Sequence, residues 1–425
     1  MSSSDTDQSI AVRLSRRLQA VEPIRRAREE SIGAGVAVFP RWLRSNLQTL
    51  ARGGNRPITE RPKDRMDERD TMFARAERTP ETEAYEDYYE RRPDLQATDD
   101  RIRDKPELGS PEALYYDPAV TPEADHYFES IEEIDPDPAV VKEWADRLDE
   151  ADEPHPVLRE MADSLGAVDV GLTTVPQEYV YTEKGRFDHN YGESVALNHD
   201  HALAFLVEMD FEEMQHAPKA PVIRESARQY YRAARIAKTT AAVLEEAGHD
   251  AAPQYDAHYE VVLPPLAVEA GLGELGRNNI LVADKYGSRV RIGAVTTDLP
   301  LPNDDPISLG VERFCRHCKR CATQCPSQAL TTGEKVDVRG TDKWPTDDAR
   351  CYSFWRQAGT DCAICMSNCP FSHRNTPLHN AVRLGIKWAP WLAPVFLYFD
   401  ELLYDREPAI GGSASADEAT GRSPR

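Results

Sequence analysis

A chain of 425 residues with 51 basic and 73 acidic side chains carries a formal charge of −22 at neutral pH, a field that repels phosphate backbones and anionic lipid and argues against both as main partners. The length gives room for two or three domains with a sizeable core. The basic residues divide into 40 Arg and 11 Lys, a bias that, beside so many carboxylates, reads as halophilic adaptation rather than as an ordinary acidic protein.

Residues 1 to 110 are rich in Arg, Asp, Glu and Pro and poor in apolar periodicity, and only Ile32 to Leu50 is able to bury a face. They read as an N-terminal arm, partly helical and partly disordered. Arg16-Arg17 is a twin arginine, but the stretch after it is broken by charges and lacks the apolar run of an export signal. No segment reaches the length of a membrane span. Trp388 to Phe399 comes nearest, but it holds two prolines and runs into Asp400-Glu401, so it is expected to pack on the protein. A cytoplasmic protein without a membrane span is the expectation, in a compartment where thiols stay reduced.

From residue 111 to 310 the pattern is that of a mixed helix and strand core. Ala139 to Leu165 has helical spacing interrupted at Pro154 and Pro156, Val168 to Tyr181 alternates like a strand, and Ala202 to Met209 is an apolar run suited to one buried strand. Ile223 to Ala247 is the longest expected helix, with Gly248 as its C′ residue. Tyr230-Tyr231 within it reads by default as core packing. Leu281 to Thr297 reads as a hairpin turning through Lys285-Tyr286-Gly287-Ser288, which puts Arg289 and Arg291 on one strand face, suited to an ion pair or an anion site.

Two shorter features have plainer readings. Gly271, Gly273 and Gly276 match G-x-G-x-x-G, but Pro264-Pro265 precedes them and a hairpin follows, so a turn permitting close approach of a backbone or a flat cofactor is favoured over dinucleotide binding. His199 and His201 lack a third ligand at a useful spacing and read as surface or supporting residues.

All eight cysteines fall between residues 311 and 375. Cys315, Cys318, Cys321 and Cys325 follow C-x2-C-x2-C-x3-C-P, and Cys351, Cys362, Cys365 and Cys369 repeat it with a longer first gap, C-x10-C-x2-C-x3-C-P. Cysteines at every third residue supply several thiolates from one loop, which a cubane iron-sulfur cluster requires. Structural zinc or disulfides are the plainer alternatives; zinc favours two C-x2-C pairs across a longer loop, and disulfides belong to oxidising compartments. Because Pro326 and Pro370 turn the chain away from its own loop, Cys369 is assigned with Cys315, Cys318 and Cys321, and Cys325 with Cys351, Cys362 and Cys365. The sum is two [4Fe-4S] clusters, followed by a helical tail over 376–425 with a disordered end.

The segment LPPLAVEAGLGELGRNNILVADKYGSRVRIGAVTTDLPL at 263–301, with the cysteine motifs after it, resembles the cobalamin-dependent reductive dehalogenases of the soluble, catabolic type, over roughly residues 165 to 375. The resemblance implies an α/β (α+β) fold: a nitroreductase-like core holding a base-off corrinoid, followed by a ferredoxin-like two-cluster module. No D-x-H-x-x-G motif is present, so a bound cobalamin would lack a histidine below cobalt. It also implies a small organohalide substrate and a tyrosine proton donor helped by a basic residue. The positions that match are Tyr230 or Tyr231, with Arg289 or Arg291. Gly271, Gly273 and Gly276 would lie against the corrinoid or its nucleotide tail. With every cysteine used, electrons would come from an external donor such as a ferredoxin or flavin reductase. Two alternatives stay beside this reading: an enzyme like epoxyqueuosine reductase, whose proton donor is an aspartate that Arg228-Gln229-Tyr230-Tyr231 does not offer, and a non-catalytic iron-sulfur electron carrier.

Overall fold

The structure, a computed structural model, describes residues 61–404; the segment Ile32 to Leu50 and the end of the tail lie outside the described residues. From residue 61 the expected arm is a set of helices: α1 (Met72–Glu77), α2 (Glu83–Arg91) and α3 (Pro93–Arg103). Thr71 and Thr82 cap the first two by accepting from Ala74 N and Tyr85 N, and Pro93 opens the third. Apolar periodicity is weak there because charged pairs hold the helices together. Arg75 grips the fully buried Asp99 through its Nε (2.9 Å) and Nη2 (2.6 Å), and Tyr89 donates to the same carboxylate (3.0 Å). Met72, Ala76 and Ile102 pack against Tyr352, far along the chain.

Helices α4 (Thr121–Ser130), α5 (Pro138–Asp149) and α6 (Pro154–Leu165) follow. The interruption expected at Pro154 and Pro156 is a boundary between two helices: α5 ends at Asp149, and both prolines occupy the first turn of α6, where a missing N–H costs nothing. Strand β1 (Asp169–Thr174) stops before Pro176, and β2 (His201–Glu208) is buried along almost its whole length. Helix α7 (Phe211–Met214) leads to α8 (Ala220–Glu246), whose end is followed by Gly248 at φ 87°. Then come β3 (Ala251–Gln254), α9 (Leu263–Glu269), β4 (Glu274–Leu275), β5 (Leu281–Val282) and β6 (Val290–Thr297).

The main sheet has the order β1-β2-β6-β3, antiparallel throughout. Its two faces follow the period of two: Leu203, Phe205, Val207 and Val295 point to α8, whereas Ala202, Ala204, Leu206 and Ala294 point to α9. The expected hairpin over 281–297 does not form. Residues 290–297 pair with β2 along all eight positions, while Leu281 and Val282 pair with Leu275 and Glu274. The longer ladder and the buried face of β2 decide the outcome.

The cysteine module comprises α10 (Val311–Cys318), α11 (Arg320–Thr323), a small ladder of β7 (Val336–Val338) and β8 (Thr341–Lys343), α12 (Asp348–Ala358) and α13 (Ile364–Ser367). Its last part docks on the core at Gly287, where an added Cβ would come within 2.3 Å of the Phe371 backbone and φ is 60°. Helices α14 (Pro377–Trp388) and α15 (Ala393–Tyr404) close the described chain. Ala393 and Phe396 pack inward, as expected of the apolar stretch, but Trp388 and Tyr398 are 72% and 60% exposed. Among the described residues no helix is long and apolar enough to cross a membrane.

Candidate functional site

Cys315 and Cys318 share one face of α10, three residues apart. Lys319, in the left-handed region at φ 53°, turns the chain so that Cys321 on α11 faces the same hollow. Cys369 reaches it from the far end of the module, just before Pro370, and Cys365 borders it. Burial pushes the Cys315 thiol up, and the neighbouring Cys369 and Cys318 push it further. Cys318 is pushed up to about 12 by burial, with Cys369 adding to it.

Cys325, Cys351, Cys362 and Cys365 form the second set. Burial raises the Cys351 thiol first, and Cys365 and Cys325 raise it further; Cys362 is raised by burial and then by Cys365, Cys351 and Cys325. The first motif's last cysteine is thus within electrostatic reach of Cys351, Cys362 and Cys365, the grouping that the proline argument proposes. Among the described residues no three His, Cys, Asp or Glu side chains converge tightly enough for a single ion; the thiols stand around wider spaces. Buried thiols that raise one another ionise only when a strongly cationic body lies among them. This donor chemistry suits a four-iron cluster in each set.

Two residues ahead of the module serve the thiols and were not singled out in the sequence. Arg277 donates to Cys315 O (3.1 and 3.2 Å), Thr331 O (2.9 Å) and Gly333 O (2.8 Å), with its guanidinium 4.5 Å from the Trp344 ring. The Asn278 side chain hydrogen-bonds Cys365, which burial pushes up to about 12. Both follow directly on the glycine motif. The glycines themselves meet their own chain: a Cβ on Gly271 would lie 2.8 Å from Asp305 O, and one on Gly273 would lie 2.4 Å from Val282 O. Their expected place against a corrinoid is taken on that side by backbone, which lets β4 and β5 pair. No helix leaves the turn, so the dinucleotide geometry is absent there. Gly276 borders the first thiol hollow.

The four candidate acid-base residues separate into three places. Arg289 precedes β6 instead of standing in it, so it does not share a strand face with Arg291. It is fully buried and joins module to core, donating to Ser372 O (2.8 Å), Glu208 Oε1 (3.1 Å) and Met209 O. Tyr231 turns to Tyr127 on α4, with ring centroids 5.9 Å apart.

Tyr230 and Arg291 come together. The guanidinium carbon lies 4.6 Å from the Tyr230 ring centroid. Burial pushes the Tyr230 phenol up to about 12; Arg291 and Arg186 pull against that rise, and Asp256 and Asp361 add to it. Arg291 Nη2 donates to Ser226 Oγ and to Asp361 Oδ2, each at 2.6 Å. Arg291 Nε and Asp361 Oδ1 are buried without a protein partner, a donor and an acceptor available to a bound polar molecule. Asp361 adjoins Cys362 in the chain, so the pair stands next to the second thiol set.

Arg186 and Tyr259, both within electrostatic reach of Tyr230, line a hollow of about 270 Å³ with Lys184, Gln254, Tyr255 and His258. That volume suits a small molecule or one portion of a larger ligand, and a whole corrinoid does not fit inside it. His199 is a supporting residue, bonded to Thr296 Oγ1 (3.0 Å) and paired with Asp250 (3.2 Å).

Comparison with known proteins places the cysteine module in a described family. Residues 314–373 match the family described as "4Fe-4S dicluster domain". The chain is 34% identical over 228 residues to a tetrachloroethene reductive dehalogenase of Dehalobacter restrictus, covering 51% of this chain and 41% of that protein. An epoxyqueuosine reductase of Synechococcus is 30% identical over 122 residues, covering 26% of this chain and 34% of that one. Among solved structures, the catabolic reductive dehalogenase NpRdhA aligns with a TM-score of 0.65 at 23% identity, over 84% of this chain and 49% of that chain. A structure titled as suggesting a mechanism for B12-dependent dehalogenation gives 0.65 at 23%, over 83% and 48%. The folds agree, and the chain spans 41% of the length of the first relative.

Proposed function

We propose that this chain, a relative of the reductive dehalogenases, is an oxidoreductase that removes halide from a small organohalide with the help of two [4Fe-4S] clusters and a base-off cobalamin. The observation that carries the reading is a partly buried tyrosine under a guanidinium, Tyr230 with Arg291, set beside the thiol set of Cys362. On this reading residues 111–310 are the nitroreductase-like core, with α8 across the main sheet, and residues 311–375 are the cluster module. Its place is the cytoplasm, and its electrons come from an external ferredoxin or flavin reductase.

Reductive removal of a halogen takes two electrons and one proton: the carbon–halogen bond breaks, halide leaves and a carbon–hydrogen bond forms. A bound corrinoid would supply the reduced cobalt and the clusters would deliver electrons singly. The chain's own part is the proton. Tyr230 Oη, pushed up to about 12 by burial, holds its proton at neutral pH until the substrate takes it. Arg291 stabilises the phenolate that is left. The epoxyqueuosine reading is less well supported, because the nearby Asp361 carboxylate is bound to Arg291 and Ser226 rather than free to donate. A bare electron carrier has no use for a phenol beside a hollow.

Anaerobic reconstitution tests the proposal. It should give about eight iron per chain, the content of two four-iron clusters, one cobalamin, and halide release from organohalides under a strong one-electron reductant. Iron without cobalamin binding would leave only the electron carrier.

A further inference from the structure

We propose that Asp361 is a positioning residue: its carboxylate, on the loop that closes the long gap of the second cysteine motif, fixes the Arg291 guanidinium against the Tyr230 ring. The inference deepens the reading above and rests on it for Tyr230 as the proton donor.

The two cysteine motifs differ in one respect, a first gap of ten residues in place of two. Helix α12 fills most of the gap and ends at Gly359, which adopts φ 75° and donates to Trp355 O (2.8 Å). The loop that follows is pinned to the core. Thr360 Oγ1 donates to Pro218 O (2.6 Å) and accepts from Cys362 N (3.2 Å), while Ala363 N donates to Asp361 O (2.7 Å). Cys362 and Ala363 then turn in the left-handed region, at φ 60° and 54°. A two-residue gap has no length for any of this. The extra residues thus carry one carboxylate from the thiol loop to the N-terminal half of α8 and to β6.

At that point Asp361 Oδ2 accepts from Arg291 Nη2 (2.6 Å) and from Ser226 Oγ. Both side chains are largely buried, at 11% and 14% exposure. A buried ion pair is weak evidence for stability, since desolvation offsets most of its attraction, but it holds geometry firmly. What it holds is the guanidinium face toward Tyr230. A carboxylate near a phenol by itself raises the phenol's pKa, and Asp361 does so for Tyr230; the opposing pull of Arg291 is the larger of the two. Losing the carboxylate therefore has opposite consequences in two pictures. Through charge alone the phenol would ionise more easily, whereas through a released Arg291 it would ionise less easily.

The test places 3,5-difluorotyrosine at position 230 by codon suppression in the full chain with oxidised clusters, and follows the fluorine resonance against pH. The fluorines lower the phenol's intrinsic pKa, bringing the titration into a range the fold tolerates. The groups that face this phenol are Arg291, Asp361, Asp256, Arg186 and Tyr259, and of these Asp361 is varied. D361N should move the midpoint upward by about one pH unit. In the unlabelled enzyme it should lower kcat about 10- to 100-fold with little change in KM. A downward or absent shift would overturn the proposal. S226A leaves the residues of the cysteine loop unchanged but removes the Ser226 Oγ hydrogen bond that helps hold Asp361 Oδ2 on Arg291, so it tests the proposal if D361N loses iron: its midpoint must also rise, and an unchanged titration sinks the positioning role. An enzyme that dehalogenates nothing yet shows the upward shift would refute the function and leave the positioning intact.

Discussion

Tyr230 and Tyr231 are adjacent in the sequence and yet have different neighbours, because successive residues on a helix point about a hundred degrees apart. Tyr230 lies against Arg291 of β6 and Phe128 of α4, whereas Tyr231 lies against Tyr127 of α4. Tyr230→Phe should lower turnover about 10²- to 10⁴-fold, the usual worth of a positioned general acid, while iron content and unfolding midpoint stay near wild type. Tyr231→Phe should keep most of the activity, and equal losses in the two variants would refute the assignment. The phenol's pH dependence has a definite sign. A donor pushed up to about 12 by burial stays protonated through the range where an ordinary tyrosine, near 10, begins to ionise. The alkaline limb of kcat should therefore lie above that ordinary value, and Arg291→Leu should move it higher still while lowering kcat. Steady-state rates between neutral pH and the limit of the fold check both statements. The sequence placed the two tyrosines and the two arginines but could not choose among them, since the choice depends on helix phase and on the residue at which β6 begins.

At the scale of elements, the junction between core and module rests on the turn that precedes β6. Gly287 lets the Phe371 backbone approach, and Arg289 spans the seam to Ser372 O, Glu208 and Met209 O. Arg289 is fully buried while its partner Glu208 is 35% exposed, so losing the arginine leaves a carboxylate that water can reach and mainly strips the Ser372 and Met209 carbonyls of a charged donor, at a cost of about 1–3 kcal/mol. Arg289→Met should destabilise the chain by that order in denaturant melts, with the module separating first, and an unchanged midpoint would show that the seam is held elsewhere. The same turn explains why a hairpin was the wrong expectation. Alternation of apolar residues marks strands well, but it does not say which strand will be the partner, and β2 offered a ladder over the full length of β6. The elements α5, α6, β2 and α8 were legible from periodicity, with prolines and Gly248 marking ends. The helices of residues 72–103 were not, because their cohesion comes from pairs such as Arg75 with Asp99, and pairs between charged residues leave no apolar period.

Across the whole molecule the thiol pattern was the most legible feature, since spacing and proline position together propose a set for each cysteine; in the fold the two groups of buried thiols also raise one another across the sets, Cys365 acting on Cys321 and Cys369 on Cys365. What spacing cannot contain is the reach of one part of the chain into another: Arg277 under Cys315, Asn278 on Cys365 and Asp361 on Arg291. The crossing of the fourth ligands has a clean test, because a cluster destroyed by one missing ligand cannot be destroyed again by a second. Cys369→Ser should lose about four iron per chain. Adding Cys315→Ser should lose no more, since both cysteines serve one set. Adding Cys362→Ser to Cys369→Ser should instead remove nearly all the iron. Such non-additivity within a set and additivity between sets is the signature of shared ligation. If the pattern were reversed, with Cys369 additive to Cys315 and redundant with Cys362, each motif would hold its own cluster.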